Sequence, residues 1–192
     1  SGKSTIAKII LRLWKETSGA INLNRKNIHT VSDLSKEIQL VFQDPFSSLN
    51  PKHSIGDAIS EVYQVSEANL KSYEIRQKTV DLIEIVGLSE SDFDKYPHEF
   101  SGGQRQRICI AKALAKKPKF IVLDEAVSAL DVSIQAKILN LLNHLKIQNG
   151  LTYLLISHDT NVVSYFCNKI VVLKNGKIIE SGDSEELITN PK

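Results

Sequence analysis

Apolar residues along this chain follow two rhythms. Helical spacing comes first: Ser4 or Thr5 is placed to cap a helix whose apolar face is Ile6, Ile9, Ile10 and Leu13, closed by Ser18-Gly19. Ala20 to Leu23 reads as a short strand with a turn at Asn24 to Asn27. Ile38 to Phe42 is a mostly apolar strand that breaks at Gln43-Asp44-Pro45. The texture then turns helical. Ser47 to Pro51 reads as loop, Ile55 to Val65 and Tyr73 to Val86 as amphipathic helices, and Gly102 to Ala115 as a helix with Ile108, Ala111 and Leu114 inward. The last third alternates. Phe120 to Leu123 and Leu151 to Ile156 read as two buried strands. Between them lies a helix from Val132 to Leu145, with Ile134, Ile138, Leu141, Leu142 and Leu145 on one face. A helix from Asn161 to Phe166 follows, then a hairpin of Ile170 to Leu173 and Lys177 to Glu180 around Asn175-Gly176. Strands alternating with helices predict an α/β fold with a mainly parallel sheet. Residues 44–116 are expected to form an inserted α-helical subdomain within one domain spanning 1–192.

The 192 residues suit one such domain. Lys and Arg total 24 against 22 Asp and Glu, so no strongly basic surface for nucleic acid is expected. No apolar run reaches the ~20 residues of a membrane-spanning helix. Cys109 and Cys167 are far apart and in no metal-binding spacing, and the five histidines form no cluster. Both thiols are expected to be buried and reduced.

The polar residues that punctuate the apolar runs carry the chemistry. Gly2-Lys3-Ser4-Thr5 opens a helix. A lysine there can reach the β- and γ-phosphates of a nucleotide, and the Ser4 hydroxyl can ligate Mg2+. Only the last part of GxxxxGKS is present, which predicts that a strand and a glycine-rich turn belong before it. Asp124-Glu125 ends an apolar strand, where α/β folds bind ligands. One carboxylate there can hold Mg2+ and the next can polarise a water. Gln43 and His158 also stand just past strands, where an amide can touch metal and water and an imidazole can donate to a γ-phosphate. Ser101-Gly102-Gly103-Gln104 offers a hydroxyl and helix-start N–H groups to a polyphosphate. Each motif has a plainer reading alone: a capped helix, a solvated strand end, a turn, a structural histidine. Their joint order is the informative feature.

In that order and spacing, with Ser128-Ala129-Leu130-Asp131, the chain resembles the ATP-binding cassette (ABC) ATPases over nearly its whole length. The resemblance implies a P-loop NTPase core binding ATP and Mg2+. It assigns Gly2, Lys3, Ser4 and Thr5 to the Walker A motif, Gln43 to the Q-loop and Ser101, Gly102, Gly103 and Gln104 to the signature. Asp124 falls in Walker B, with Glu125 as catalytic base, Asp131 in the D-loop and His158 as the switch histidine. Ser4, Gln43 and Asp124 are the implied metal contacts. Val41-Phe42-Gln43-Asp44-Pro45-Phe46-Ser47-Ser48-Leu49-Asn50-Pro51, Tyr96-Pro97-His98-Glu99-Phe100 and Val127 to Ala136 narrow the resemblance to the importers of oligopeptides, dipeptides and nickel, most of all to the second ATPase of the peptide systems. Ala126 departs from the proline that many ABC ATPases carry.

This subgroup implies a head-to-tail dimer with a second ABC ATPase subunit, a paralogue or another copy of the chain. It also implies two transmembrane permease subunits, an external substrate-binding protein, no nucleic acid, and a place at the cytoplasmic face of the cell membrane. The implied function is ATP hydrolysis that powers import of peptides or nickel. A soluble ABC ATPase acting on ribosomes or DNA, and a fragment that no longer binds ATP, are the alternatives. The segment before Ser1, including the adenine-stacking aromatic, is expected to be missing, as is a C-terminal extension after Asn190-Pro191-Lys192.

Overall fold

A computed structural model describes residues 2–189, so Asn190-Pro191-Lys192 lies outside the described residues. The core is a three-stranded parallel sheet. Strands β3 (Ile38–Val41), β4 (Phe120–Asp124) and β5 (Thr152–Ile156) follow two short antiparallel strands, β1 (Asn22–Leu23) and β2 (Lys26–Asn27). β4 is central, with Ile38 beside Phe120 and Asp124 beside Ile156. The period of two, with both faces covered, explains why these runs are apolar on both alternations, Gln39 and Thr152 excepted. Ile121, Leu123, Val41, Tyr153 and Leu155 point into one hydrophobic cluster, whereas Val122, Ile38, Leu40, Leu154 and Ile156 point into a second. The sheet therefore has a core on each face. The carboxyl ends of all three strands lie along one edge, which brings Gln43, Asp124-Glu125 and Ser157-His158 to the same side.

Helix α1 (Lys3–Ile10) lays Ala7 and Ile10 on the smaller cluster with Ile28 and Leu34. It is shorter than the apolar pattern predicts. Arg12 takes a left-handed backbone, φ +56°, and Leu13 N–H donates back to the Lys8 carbonyl while Arg12 N–H donates to Ile9. This is a Schellman ending with arginine in place of glycine. It is held by the Arg12 guanidinium, which donates to the carbonyls of Ile28 and Val31. Nor does Ser4 or Thr5 cap this helix. Gly2 occupies the cap position and no side chain bonds there. A short helix α2 (Leu34–Glu37), which the pattern does not announce, leads into β3.

Between β3 and β4 in sequence come α3 (Pro45–Ser48), α4 (Ile55–Ser66), α5 (Ser72–Ile85) and α6 (Gly102–Leu114). α3 occupies part of the predicted loop: Asp44 accepts from Phe46 N–H and Pro45 is preset for the first turn. α4 and α5 share a buried hydroxyl pair, Ser60 to Thr79 at 3.0 Å. α6 buries Ile108, Cys109, Ile110, Ala111, Ala113 and Leu114 in the large cluster, joined by Ile138, Leu139, Leu142 and Leu145 of α7 (Val132–Asn149), which runs one turn past its predicted end. After β5, α8 (Thr160–Phe166) is capped by Asp159. Strands β6 (Lys169–Lys174) and β7 (Lys177–Asp183) form the predicted hairpin, with Asn175 and Gly176 at φ +49° and +75°, the positive values a tight primed turn requires. α9 (Ser184–Thr189) closes the described chain, and no helix among the described residues is long and apolar enough to cross a membrane.

Candidate functional site

The carboxyl edge of the sheet gathers polar residues from four separate stretches. The Ser4 hydroxyl, in the first turn of α1, donates to Asp124 Oδ1 at 3.3 Å across 120 residues. One position on, Glu125 Oε1 lies 3.3 Å from His158 Nδ1. Asp124 and Glu125 are half-buried; Ser4 and His158 are exposed. Two pairs, one from α1 to β4 and one from β4 to the loop after β5, thus stand side by side on adjacent residues. Thr5 is exposed and Lys3 half-buried beside Ser4, on the open end of α1. Gln43 is exposed, two residues past the end of β3. Ser4 and Asp124 are close enough for their oxygens to share one small cation, and the Gln43 amide adds a third hard donor on the same edge, a set suited to Mg2+.

Glu125 has an unusual backbone. Its φ is +50°, a left-handed conformation that costs a non-glycine residue on the order of 1 kcal/mol. Hydrogen bonds fix it from both sides. Its N–H donates to the Ile156 carbonyl at 2.9 Å, and its carbonyl accepts from Ser128 N–H at 3.1 Å and the Ser128 hydroxyl at 2.9 Å. The next carbonyl but one, that of Val127, accepts from Leu130 N–H at 3.1 Å and the Gln135 side-chain amide at 3.0 Å. The chain then turns into α7 at Asp131, which is exposed at the cap position.

The Ser101–Gln104 loop is built differently. Ser101 Oγ accepts from Gln104 N–H at 3.3 Å, and Gln104 Oε1 accepts from Ser101 N–H at 2.9 Å, a reciprocal cap. Behind it, Gly103 is buried against α7: a Cβ at that position would stand 2.4 Å from Ile134 Cγ2, and one on Gly102 would meet Leu130 at 3.5 Å. Thus the Ser101 loop packs on the segment that leads out of Glu125. Hydrogen bonds thus pair Ser4 with Asp124, Glu125 with His158, and Ser101 with Gln104.

Sequence spacing alone does not reveal the contacts that tie α6 to the Gln43 segment. Gln106, 1% exposed, reaches the Phe42 carbonyl at 3.4 Å. The Arg105 guanidinium lies 3.7 Å from the centre of the Phe46 ring and donates to the Pro97 carbonyl at 3.2 Å. The buried thiol of Cys109 approaches the Pro45 carbonyl, and burial pushes its pKa up to about 12. These partners are a lobe's length apart in sequence; the one available signal is a polar residue on the inward face of an apolar helix.

The chain has relatives among known families, proteins and solved structures. The protein-family model described as ABC transporter matches residues 1–128. The chain is 43% identical to the oligopeptide transport ATP-binding protein OppF of Bacillus subtilis, covering 99% of this chain and 64% of that one. It is 46% identical to the glutathione import ATP-binding protein GsiA of Escherichia coli K12, covering all of this chain and 32% of that protein. The chain therefore spans under two thirds of these relatives. Among solved structures, cbiO1 of Clostridium perfringens, part of the ABC transporter complex cbiONQ, superposes with a TM-score of 0.86 at 30% identity, over 98% of this chain and 75% of that one. A dimeric ATP-binding cassette in a post-hydrolysis state with ADP and Pi gives 0.81 at 30% identity, over 95% and 81%. With a parallel α/β core, a helix-start Gly-Lys-Ser-Thr bonded to a strand-end aspartate, and a family match over two thirds of its length, the chain belongs to the ABC transporter family of ATP-binding domains.

Proposed function

We propose that the chain is the ATP-hydrolysing domain of a subunit that powers import of peptides, with nickel as the other cargo of the subgroup it resembles. The observation that carries the hydrolase half is the paired contact at the sheet edge, Ser4 to Asp124 and Glu125 to His158. Lys3 and the N–H groups of Gly2 to Thr5 hold the β- and γ-phosphates at the uncapped start of α1. Ser4, Asp124 and Gln43 would hold Mg2+, which would supply charge neutralisation for the phosphates. Glu125 accepts a proton from the attacking water, with its carboxylate oriented by the imidazole of His158. His158 also donates toward the γ-phosphate.

Ser101, Gly102, Gly103 and Gln104 face away from their own Lys3 in this reading and serve the nucleotide of a second ABC subunit, head to tail, with Asp131 at the junction. Residues 44–116 act as an inserted lobe that carries this loop, and permease subunits dock on the side of the Gln43 segment. The names of the relatives support the peptide half: oligopeptide transport for one, glutathione import for the other. Peripheral attachment at the cytoplasmic face of a membrane, through two permeases fed by an external binding protein, follows from that assignment.

The test is Glu125→Gln in the full subunit assembled with its partners. Hydrolysis falls by about two orders of magnitude or more, the span expected for a removed general base, while Mg-ATP still raises the unfolding midpoint. Turnover near that of the unaltered protein refutes the assignment. Loss of the midpoint rise in Lys3→Ala checks the phosphate site separately.

A further inference from the structure

We propose that Gln135 is a positioning residue for Glu125, acting through the turn that joins β4 to α7. The proposal rests on the hydrolase reading above and extends it to a side chain outside the phosphate and metal contacts. Glu125 is held in a backbone conformation it would not choose, φ +50°, so something must hold it there. One anchor is the Ile156 carbonyl on β5. The other is the turn 125–128, closed by Ser128 through both its N–H and its hydroxyl on the Glu125 carbonyl. A closed turn still has to be fixed against the body of the protein. Gln135 does this. Half-buried in the first turns of α7, it sends its amide N–H back to the Val127 carbonyl at 3.0 Å. Its own backbone N–H bonds Asp131 at 2.8 Å, so the amide is carried by an intact helix rather than by a loop. Ala126 and Val127 are buried against the large cluster, which leaves the turn little room except to rotate about its carbonyls. The Gln135 amide opposes that rotation.

Gln135 thus acts on Glu125 through the backbone of the turn, by way of the Val127 carbonyl. It sets the angle at which the Glu125 carboxylate leaves the sheet. A carboxylate that must meet a water within hydrogen-bond reach loses rate steeply with small displacement. Binding of the phosphates, which uses Lys3 and the start of α1, does not pass through this turn.

The experiment uses the full subunit assembled with its partners. Gln135→Leu removes the amide without adding a charge, and Gln135→Arg restores an N–H donor. The expected result is a fall in kcat of ~tenfold or more for Gln135→Leu, with KM for ATP and the midpoint rise with Mg-ATP unchanged, and recovery in Gln135→Arg. Amide hydrogen exchange at Ser128 and Leu130 should quicken in Gln135→Leu alone. If the wild type hydrolyses ATP, Glu125→Gln does not, and Gln135→Leu turns over like the wild type, the positioning role is overturned by itself. Equal loss of kcat in the Arg variant, or a parallel loss of ATP binding in the Leu variant, also overturns it. A wild-type assembly that hydrolyses no ATP overturns the hydrolase reading, and the role with it.

Discussion

Two glycine-bearing helix starts in this chain look alike in sequence and differ in physics. At the start of α1, Gly2 has φ +91°, a Cβ on it would meet nothing within 4 Å, and no side chain caps the helix. At the start of α6, Ser101 and Gln104 cap each other, and Gly103 is glycine because Ile134 of α7 fills the space a Cβ would need. The first glycine sets a conformation and leaves N–H groups free for a ligand. The second sets a packing distance, and its N–H groups are partly satisfied already. The α1 start leaves its N–H groups open, which suits the phosphate role proposed for it. The α6 start is a preformed surface whose position is fixed by the helix behind it, which suits the role proposed for it on a second subunit.

That contrast predicts opposite signatures on substitution. The largest effect on stability belongs to Gly103→Ala. Helix propensity favours alanine by ~1 kcal/mol, but overpacking against a stiff β-branched side chain costs ~1–3 kcal/mol, so the net is a loss. Chemical denaturation should show it, and Ile134→Ala in the same chain should recover ~1 kcal/mol relative to the sum of the single changes. Additive losses would mean that Ile134 is not what excludes the methyl group. Ser101→Ala comes next, removing one side of the reciprocal cap for ~1 kcal/mol. Gly2→Ala costs a similar ~1 kcal/mol, from the left-handed backbone itself and not from any neighbour, since a Cβ there meets nothing within 4 Å; its signature is a weaker Mg-ATP shift in the unfolding midpoint. A Gly2→Ala protein that is strongly destabilised would erase the distinction drawn here. The smallest effect is at Cys109 on the buried face of α6. With its pKa raised to about 12 by burial, its thiol stays protonated and should resist alkylation at pH 8 until the protein is unfolded, as peptide mapping would show.

Much of this arrangement is legible before any fold is known. The runs Ile38 to Phe42, Phe120 to Leu123 and Leu151 to Ile156 are apolar on both alternations, Gln39 and Thr152 excepted, because both faces of the sheet are buried, and Gln43, Asp124 and His158 follow within two residues of their ends. The hairpin at Asn175-Gly176 is legible because its turn needs positive φ at two positions. The end of α1 is not, since Leu11 and Leu13 continue the helical pattern while the stop comes from the Arg12 guanidinium bonding Ile28 and Val31. Gln106 and Arg105 are hidden for the same reason: their partners, Phe42 and Phe46, are about sixty residues away. The central place of β4 likewise follows from pairing, which local pattern does not encode. The roles of Ser4, Gln43, Asp124, Glu125 and His158 come from resemblance; geometry adds the contacts among four of them.

The left-handed backbone at Glu125 has an evolutionary corollary. Judged by folding alone, position 125 is suboptimal: glycine or asparagine would adopt that φ with less strain and could raise the unfolding midpoint. A carboxylate there runs against the gradient that drifting sequences follow toward greater stability. If Glu125 serves as the proposed base, descendants released from the need to turn over nucleotide should lose this acid early, and gain robustness in doing so. A glycine or asparagine at this place in a related chain would be a fossil mark of retirement from catalysis.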